Sequence, residues 1–103
     1  MVHILIGYID DKVRRIEVDG HADSGPYGND LVCAAISAVV VGCSNALLYP
    51  ESFVIEIKPG HYLLKDKLQC LSADYNVVRA LYICLKTIAD KYPRFVEMKE
   101  REI

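Results

Sequence analysis

Features that would place this 103-residue chain in a functional class at once are missing from its sequence. The longest apolar run, Leu31 to Val41, is too short to span a bilayer, so we expect no membrane segment. No charged-then-apolar leader with a cleavage site is visible, so we expect a cytoplasmic protein. Basic residues are not in excess: the formal net charge is −2, which argues against a broad basic face for nucleic acid.

Paired cysteines are missing as well, because the four cysteines form no C-x-x-C motif. A structural zinc site is therefore not expected, and cytosolic thiols stay reduced. The sequence predicts no metal and no cofactor. It shows no repeat, linker or low-complexity segment, and its 52% hydrophobic content is enough for one domain, residues 1–103, to bury a core.

Hydrophobic patterning predicts elements in the order ββαββαβ. The predicted strands are residues 3–9, 13–19, 53–58, 61–65 and 95–99, the predicted helices are residues 30–48 and 73–91, and residues 99–102 are a charged tail. Short turns at residues 10–12 and 59–60 favour two antiparallel hairpins. The predicted fold class is therefore α/β (α+β): a single small domain with a mixed or antiparallel sheet and two helices.

The two predicted helices differ in how their apolar residues are arranged. The first is apolar nearly all the way round, so we expect the sheet to cover one side and another element to cover the other. The second, with Ser72 as its cap, is amphipathic. Its predicted core stripe is Val77, Leu81, Cys84 and Ile88, and its predicted solvated positions are Asp74, Arg79, Lys86 and Asp90.

The stretch GHADSGPYGNDLVCAAIS, residues 20–37, carries the candidate chemistry. Asn29 and Asp30 are good helix N-caps, which places Cys33 in the first turn of the first helix. The free N–H groups and the dipole at a helix N-terminus favour an anion, and so the nucleophilic thiolate. His21, at the end of the second strand, could assist the thiolate and later protonate a leaving group.

The same residues also fit a simpler interpretation. A lone cysteine in an apolar helix is commonly a small core residue, and a lone histidine at a strand end is commonly a surface residue. Spacing alone leaves both interpretations open, because Cys–His pairs are spatial rather than sequential. His61 is interpreted as a solvated strand residue without chemistry.

The loop between His21 and Cys33 contains Gly25, Tyr27 and Gly28, which we assign to substrate binding. Its glycines predict a loop, residues 22–29, that is mobile alone and closes over a peptide. Tyr27 could form a wall of an apolar slot for bulky residues of an extended peptide.

Gly20-His21-Ala22, an eight-residue loop ending in Asn29-Asp30, and Leu31–Ser37 together resemble the signature of the ribosomal-processing cysteine protease Prp family. The resemblance implies a cytoplasmic endopeptidase that removes the N-terminal extension of a large-subunit ribosomal protein precursor, cutting after an aromatic pair. It also implies a homodimer. The signature covers about a sixth of the chain.

The resemblance implies roles for five residues of this sequence. His21 and Cys33 correspond to the catalytic pair, and Gly20, Asp30 and Ser37 correspond to supporting positions. Asp30 is either a helix cap or the third member of a catalytic triad, which would orient His21. The hydroxyl of Ser37 either bonds back to its own helix or stands as a polar group near the thiol. Cys43, Cys70 and Cys84 match no motif position. The Cys33 backbone N–H is the first candidate oxyanion donor.

A second function from another class remains open at this point: a non-catalytic ribosome-assembly module that binds RNA or protein. Small sheets with two helices bind RNA when aromatics on the sheet stack bases beside a basic rim. The tyrosines here are scattered and the charge is slightly acidic, so the sequence favours the protease.

Overall fold

The computed structural model describes residues 1–22, 25, 30–68 and 72–103. These residues form one five-stranded sheet with two α-helices, in the predicted order ββαββαβ, and a short 3-10 turn before the third strand. The strands are β1 Val2–Ile9, β2 Lys12–Gly20, β3 Phe53–Lys58, β4 His61–Asp66 and β5 Val96–Glu102; the helices are α1 Leu31–Asn45 and α2 Ser72–Lys91. The predicted fold class is confirmed.

The sheet is mixed, with the strand order β3-β4-β2-β1-β5. Both predicted hairpins are present: β1 pairs antiparallel with β2, and β3 pairs antiparallel with β4. Asp10 and Asp11 make the first turn at φ 51° and 64°, a left-handed conformation that short polar side chains tolerate. The β2–β4 pair joins the two hairpins, with Asp19 opposite His61.

The last strand is longer than the sequence predicted. Residues 99–102, expected to be a charged tail, continue the parallel pairing of β5 with β1 as far as Glu102 opposite Tyr8. An edge strand with one face in water accepts charged side chains, so the charge run did not end the strand.

Both helices pack on one face of the sheet. Ile4, Ile16 and Val18 from the sheet share a core with Ile36 of α1 and Leu85 of α2. The other face carries charged residues such as Glu17 and Lys99. The stretch of residues 20–37 therefore leaves the sheet at the end of β2 and enters α1, which covers the apolar side of the same sheet.

The first helix ends at Asn45, three residues before the predicted end at Leu48. The reason lies in α2: the carboxylate of Asp74 accepts hydrogen bonds from the backbone N–H groups of Leu48 and Tyr49, at 2.7 and 2.8 Å. These donors are satisfied outside a helix, so the chain can turn away. Asp74 is 1% exposed, so its predicted solvated position was wrong.

The predicted core stripe of α2 was also wrong in part. Cys84, expected in the core, is exposed, and Val77 and Ile88 are only half-buried. The buried residues are Val78, Leu81, Leu85 and Ala89, together with Asp74. Because Asp74 turns inward to bind the chain after α1, the buried face of the helix is rotated by one position. Arg79, Lys86 and Asp90 are exposed as predicted.

The outer side of α1 lacks the expected second cover within the described part of the chain. Leu31 is 77% exposed and Val41 is 41% exposed, and Ala34 and Ala38 between them are exposed as well. These four residues, spaced three, four and three apart, form one apolar stripe, which we call the outer stripe of α1. None of the helices in the described ranges is long and apolar enough to cross a membrane.

Candidate active site

Cys33 lies in the first turn of α1, as the sequence predicted. The residue before the helix, Asp30, has an extended backbone (φ −79°, ψ 99°), and its Oδ1 accepts a hydrogen bond from the backbone N–H of Cys33 at 3.0 Å. The backbone N–H of Ala34 donates to the carbonyl oxygen of Asp30, also at 3.0 Å. Asp30 is thus the N-cap of the helix that holds the thiol.

This cap changes one expectation about the chemistry. The Cys33 backbone N–H, our first candidate for an oxyanion donor, is already bonded to Asp30 in this structure. An N–H that satisfies its own helix cap is a poor choice for stabilising a developing charge on substrate, because the cap bond would have to break first.

The end of β2 brings His21 to the start of α1. The backbone N–H of Ala22, the residue after His21, donates to Sγ of Cys33 at 3.3 Å. The thiol therefore touches the peptide segment that carries His21, although the two contacting residues lie eleven positions apart in the chain. An N–H donor at this distance stabilises negative charge that develops on the sulfur.

Gly20 is required by the backbone at this junction. Its φ is +101°, and a Cβ atom there would collide with the carbonyl oxygen of Met1. Residues that carry a side chain rarely adopt this φ, so glycine allows β2 to end here and His21 to turn toward the helix. A supporting role for Gly20 in the site therefore has a steric basis.

A groove of about 280 Å³ contains the two candidate catalytic side chains. His21, which is exposed, and Cys33, which is half-buried, both line it, together with Ser37. Its other lining residues are mainly apolar and come from β1, β2, α1 and the β3–β4 hairpin: Val2, Val18, Ile36, Val40, Val41, Ile57, Pro59 and Tyr62. An apolar groove of this size beside a thiol suits bulky side chains of a peptide.

Tyr62 forms a buried polar contact at the groove. Its side chain is 3% exposed, and its hydroxyl lies 2.7 Å from Oγ of Ser44 in a hydrogen bond. Burial raises the pKa of the Tyr62 phenol, and the hydrogen bond with Ser44 opposes that shift in part. The phenol therefore stays neutral at physiological pH and serves as a fixed wall.

Ser37 faces the groove one helical turn after Cys33. Among the described residues its hydroxyl makes no hydrogen bond, so the back-bond to its own helix that we expected is not formed. Thr87 in α2 shows what such a bond looks like, with its hydroxyl donating to the Ile83 carbonyl oxygen at 2.8 Å. The arrangement fits the other interpretation, a polar group on the thiol side of the helix.

His61 has partners that the sequence analysis missed. Its Nδ1 lies 2.6 Å from Oδ1 of Asp19, and its Nε2 lies 2.9 Å from Oε1 of Glu56. The hydrogen bond to Asp19, followed by the one to Glu56, raises the pKa of His61. Three strands, β2, β4 and β3, are thereby joined beside the groove. The strand register, with Asp19 opposite His61, would have revealed the first of these contacts.

Two of the three predicted substrate-loop residues, Tyr27 and Gly28, lie outside the described residues, as does Asn29. Gly25 is described and is exposed at a bend.

The remaining cysteines differ from Cys33 in their surroundings. Cys43 is half-buried, and burial, followed by the nearby Cys84, raises the pKa of its thiol. Cys84 is exposed on α2, and Cys70 lies outside the described residues. Across the described ranges, no three His, Cys, Asp or Glu side chains come together as they would in a metal site.

A thiol at a helix start and an imidazole at the adjoining strand end, both lining one apolar groove, are the components of a cysteine hydrolase. Comparison with known proteins narrows this class. The sequence profile of a family described as cysteine protease Prp matches residues 1–97. The chain belongs to this family, and it is a cysteine protease.

Individual relatives agree with the family match. The ribosomal processing cysteine protease Prp of Bacillus subtilis (strain 168) is 41% identical over 91 residues, which cover 81% of each chain. Two crystal structures of the ribosomal processing protease Prp of Staphylococcus aureus also match. The complex with a covalently linked product peptide has a TM-score of 0.85 at 29% identity and covers 98% of this chain and 100% of that one. The complex with a substrate peptide has a TM-score of 0.80 at 28% identity, with the same coverage.

Proposed function

We propose that this protein is the endopeptidase that removes the N-terminal extension of a large-subunit ribosomal protein precursor, with Cys33 as nucleophile and His21 as acid–base partner. The observation that carries the proposal is the contact between the two segments: the amide after His21 donates to Sγ of Cys33, and both side chains line one groove. The relatives named as ribosomal processing proteases support the choice of substrate.

The chemistry follows from these two side chains. His21 accepts the thiol proton, and Sγ of Cys33 attacks the scissile carbonyl carbon to give a tetrahedral intermediate. The imidazolium of His21 then donates its proton to the leaving amine, the C–N bond breaks, and a thioester remains. A water molecule, deprotonated by His21, attacks the thioester carbon, the C–S bond breaks, and the extension leaves with a new C-terminal carboxyl group. The imidazolium of His21 returns a proton to the sulfur, which restores the thiol.

The supporting residues act through geometry. Asp30 holds the helix start that presents Cys33, and Gly20 permits the backbone turn that presents His21. Ser37 supplies a hydroxyl in the same groove. Gly25, Tyr27 and Gly28 form the substrate loop in this proposal.

The test compares variants of the proposed pair with matched controls. Cys33→Ala, Cys33→Ser and His21→Ala should each abolish cleavage of the precursor while the fold survives, as judged by circular dichroism. Cys84→Ser and His3→Ala remove an exposed cysteine and an exposed histidine elsewhere, and they should cleave as the parent protein does. The products are measured by mass spectrometry under reducing conditions. Full cleavage by folded Cys33→Ala would contradict the role of Cys33 as the nucleophile.

Alkylation gives an assay that needs no substrate. Iodoacetamide reacts with thiolates, so it should label Cys33 far faster than the other three cysteines. Cys43 should be slow because burial raises its pKa. Equal labelling of all four would remove the case for an activated thiol.

The substrate proposal extends to the residues before the cleavage site. The apolar groove walls, which include Ile36, Val40 and Ile57, suit an aromatic pair. Losing even one methylene group from a hydrophobic pocket costs about 1–3 kcal/mol. Replacing either aromatic by alanine should therefore lower kcat/KM by at least roughly tenfold. Peptides without the pair should be poor substrates, and efficient cleavage of such peptides would argue against the pocket.

We also propose that the protein is a homodimer that acts in the cytoplasm, where ribosomal precursors are made. The outer stripe of α1 leaves Leu31 77% exposed in the single chain, and surfaces of this kind usually mark an interface. Ala38→Glu places a charge in the stripe and should give a monomer by light scattering, whereas Ala80→Glu on the exposed side of α2 should not. A monomer mass for the parent protein at micromolar concentration would contradict the dimer.

A further inference from the structure

The turn between β3 and β4 supports the ring of His21. Gly60 in this turn has a φ of +70°, and a Cβ atom built on it would lie 2.9 Å from Nε2 of His21 and 3.2 Å from Cε1. The imidazole therefore rests directly against the Cα atom of Gly60, and any side chain at this position would compete with the ring for space.

The turn is fixed to the strand that presents His21. The backbone N–H of Gly20 donates to the carbonyl oxygen of Gly60 at 2.9 Å. His61 directly follows Gly60 in the chain. Its Nδ1 lies 2.6 Å from Oδ1 of Asp19, in a hydrogen bond. The residue pairs 19–61 and 20–60 thus hold Gly60 in place next to its contact with His21. A displacement of the turn would carry the support away from the imidazole.

An exposed histidine needs such a support to act in catalysis. A free imidazole on a strand end samples several rotamers, and only some of them face Cys33. A misplacement of about 1 Å can cost about a hundredfold in rate. The described part of the chain also offers a contrasting glycine, because a Cβ at Gly42 in α1 would meet nothing within 4 Å.

We propose that Gly60 is a positioning residue for His21: its bare Cα is the surface against which the imidazole is held in its working orientation. This inference rests on the proposed catalytic role of His21. It assigns the β3–β4 turn a part in the site that neither chain proximity nor the signature of residues 20–37 indicates.

The experiment measures cleavage, alkylation and the His21 ring together. Gly60→Asn is the principal variant, because asparagine tolerates a positive φ but adds a Cβ; Gly60→Ala is the second, and Gly42→Ala is the matched control. Gly60→Asn should lower kcat by at least tenfold and should lower the alkylation rate of Cys33 towards that of His21→Ala. The control should leave both rates unchanged, and melting temperatures show which variants are folded.

Nuclear magnetic resonance supplies a readout that can be made on the parent protein as well as on the variant. The chain has only three histidines, so the Cε1–H signals can be assigned. In the parent protein we expect nuclear Overhauser contacts between the Gly60 Hα protons and the His21 ring. In Gly60→Asn the His21 signal should shift while that of His3 stays in place.

The outcomes separate this inference from the function beneath it. If His21→Ala cleaves like the parent protein, the proposed function is wrong. If His21→Ala is inactive but folded Gly60→Asn keeps parent rates of cleavage and alkylation, the positioning role is wrong. Absence of the Overhauser contact in the parent protein would overturn it as well, even if neither Gly60 variant folds.

Discussion

Substitutions of Asp30 can separate the effect of its negative charge from the effect of its helix-capping hydrogen bond. Its Oδ1 accepts from the backbone N–H of Cys33 at 3.0 Å, so loss of the cap disturbs the residue that carries the proposed nucleophile. Replacing an aspartate cap by alanine costs about 1 kcal/mol, within a range of about 0.5–2 kcal/mol. For a domain of about this size, we expect Asp30→Ala to lower Tm by about 4–8 °C.

Asparagine is about as good a cap as aspartate, so Asp30→Asn keeps an acceptor for Cys33 and removes the negative charge. If Asp30 acts as a cap, Asp30→Asn should stay within about 0.5 kcal/mol of the parent protein. It should also keep kcat within about threefold, because the position of the thiol is preserved. Asp30→Ala should lose roughly tenfold or more in kcat as the first turn of the helix frays.

The assay pairs thermal melting with cleavage of the extension peptide. Asp90, exposed on α2, provides the control, and its change to alanine or asparagine should alter neither quantity. A loss of a hundredfold or more in kcat for Asp30→Asn at an unchanged Tm would refute the capping explanation. Such a result would show that the carboxylate charge itself takes part in the chemistry, as a triad member does.

Three further predictions concern the rest of the molecule. The bonds to Asp19 and Glu56 raise the pKa of His61, so they stabilise the fold below the ordinary pKa of histidine, and this stabilisation is lost as the pH rises through the raised value. The difference in free energy of unfolding between the parent protein and His61→Gln, measured in urea, should therefore shrink from pH 6 to pH 9. A difference that stays constant over this range would contradict the prediction. Asp74→Ala should cost about 3 kcal/mol, from two bonds to a carboxylate at about 1.5 kcal/mol each, and a loss below about 1 kcal/mol would show that water replaces them. Amides of residues 22–29 should gain protection from hydrogen exchange when a substrate peptide binds, and equal strong protection without peptide would remove the case for a closing loop.

The order of the elements could be predicted because it depends on local patterns. Alternation of apolar residues in β2 and the Pro59-Gly60 turn are local signals, and both hairpins were predicted from them. The end of α1 could not be predicted, because it depends on Asp74, 26 residues away from Leu48. The inward turn of Asp74 also explains why three of the four predicted core residues of α2, among them Cys84, lie one position before the buried ones, whereas Leu81 was predicted correctly.

The candidate site shows the same division between local and distant contacts. Cys33 at a helix start and Asp30 as its cap are three residues apart, so a capping rule predicts both. The contact of Gly60 with His21 joins two hairpins, and the bonds of His61 depend on the register of three strands. The sequence signal that could have found them is the strand pairing of Asp19 with His61, which fixes what stands beside the end of β2.

The end of β2 is the junction on which the site depends, because four consecutive residues there make contacts with two other elements. Asp19 bonds to His61, and Gly20 bonds to Gly60. The ring of His21 rests on Gly60, and the N–H of Ala22 donates to Cys33. The first three contacts attach the segment to the β3–β4 turn, and the fourth attaches it to α1. The separation between imidazole and thiol is therefore set by how the turn and the helix are held on one sheet, so changes in the hairpin, outside the signature of residues 20–37, should alter the reactivity of the thiol.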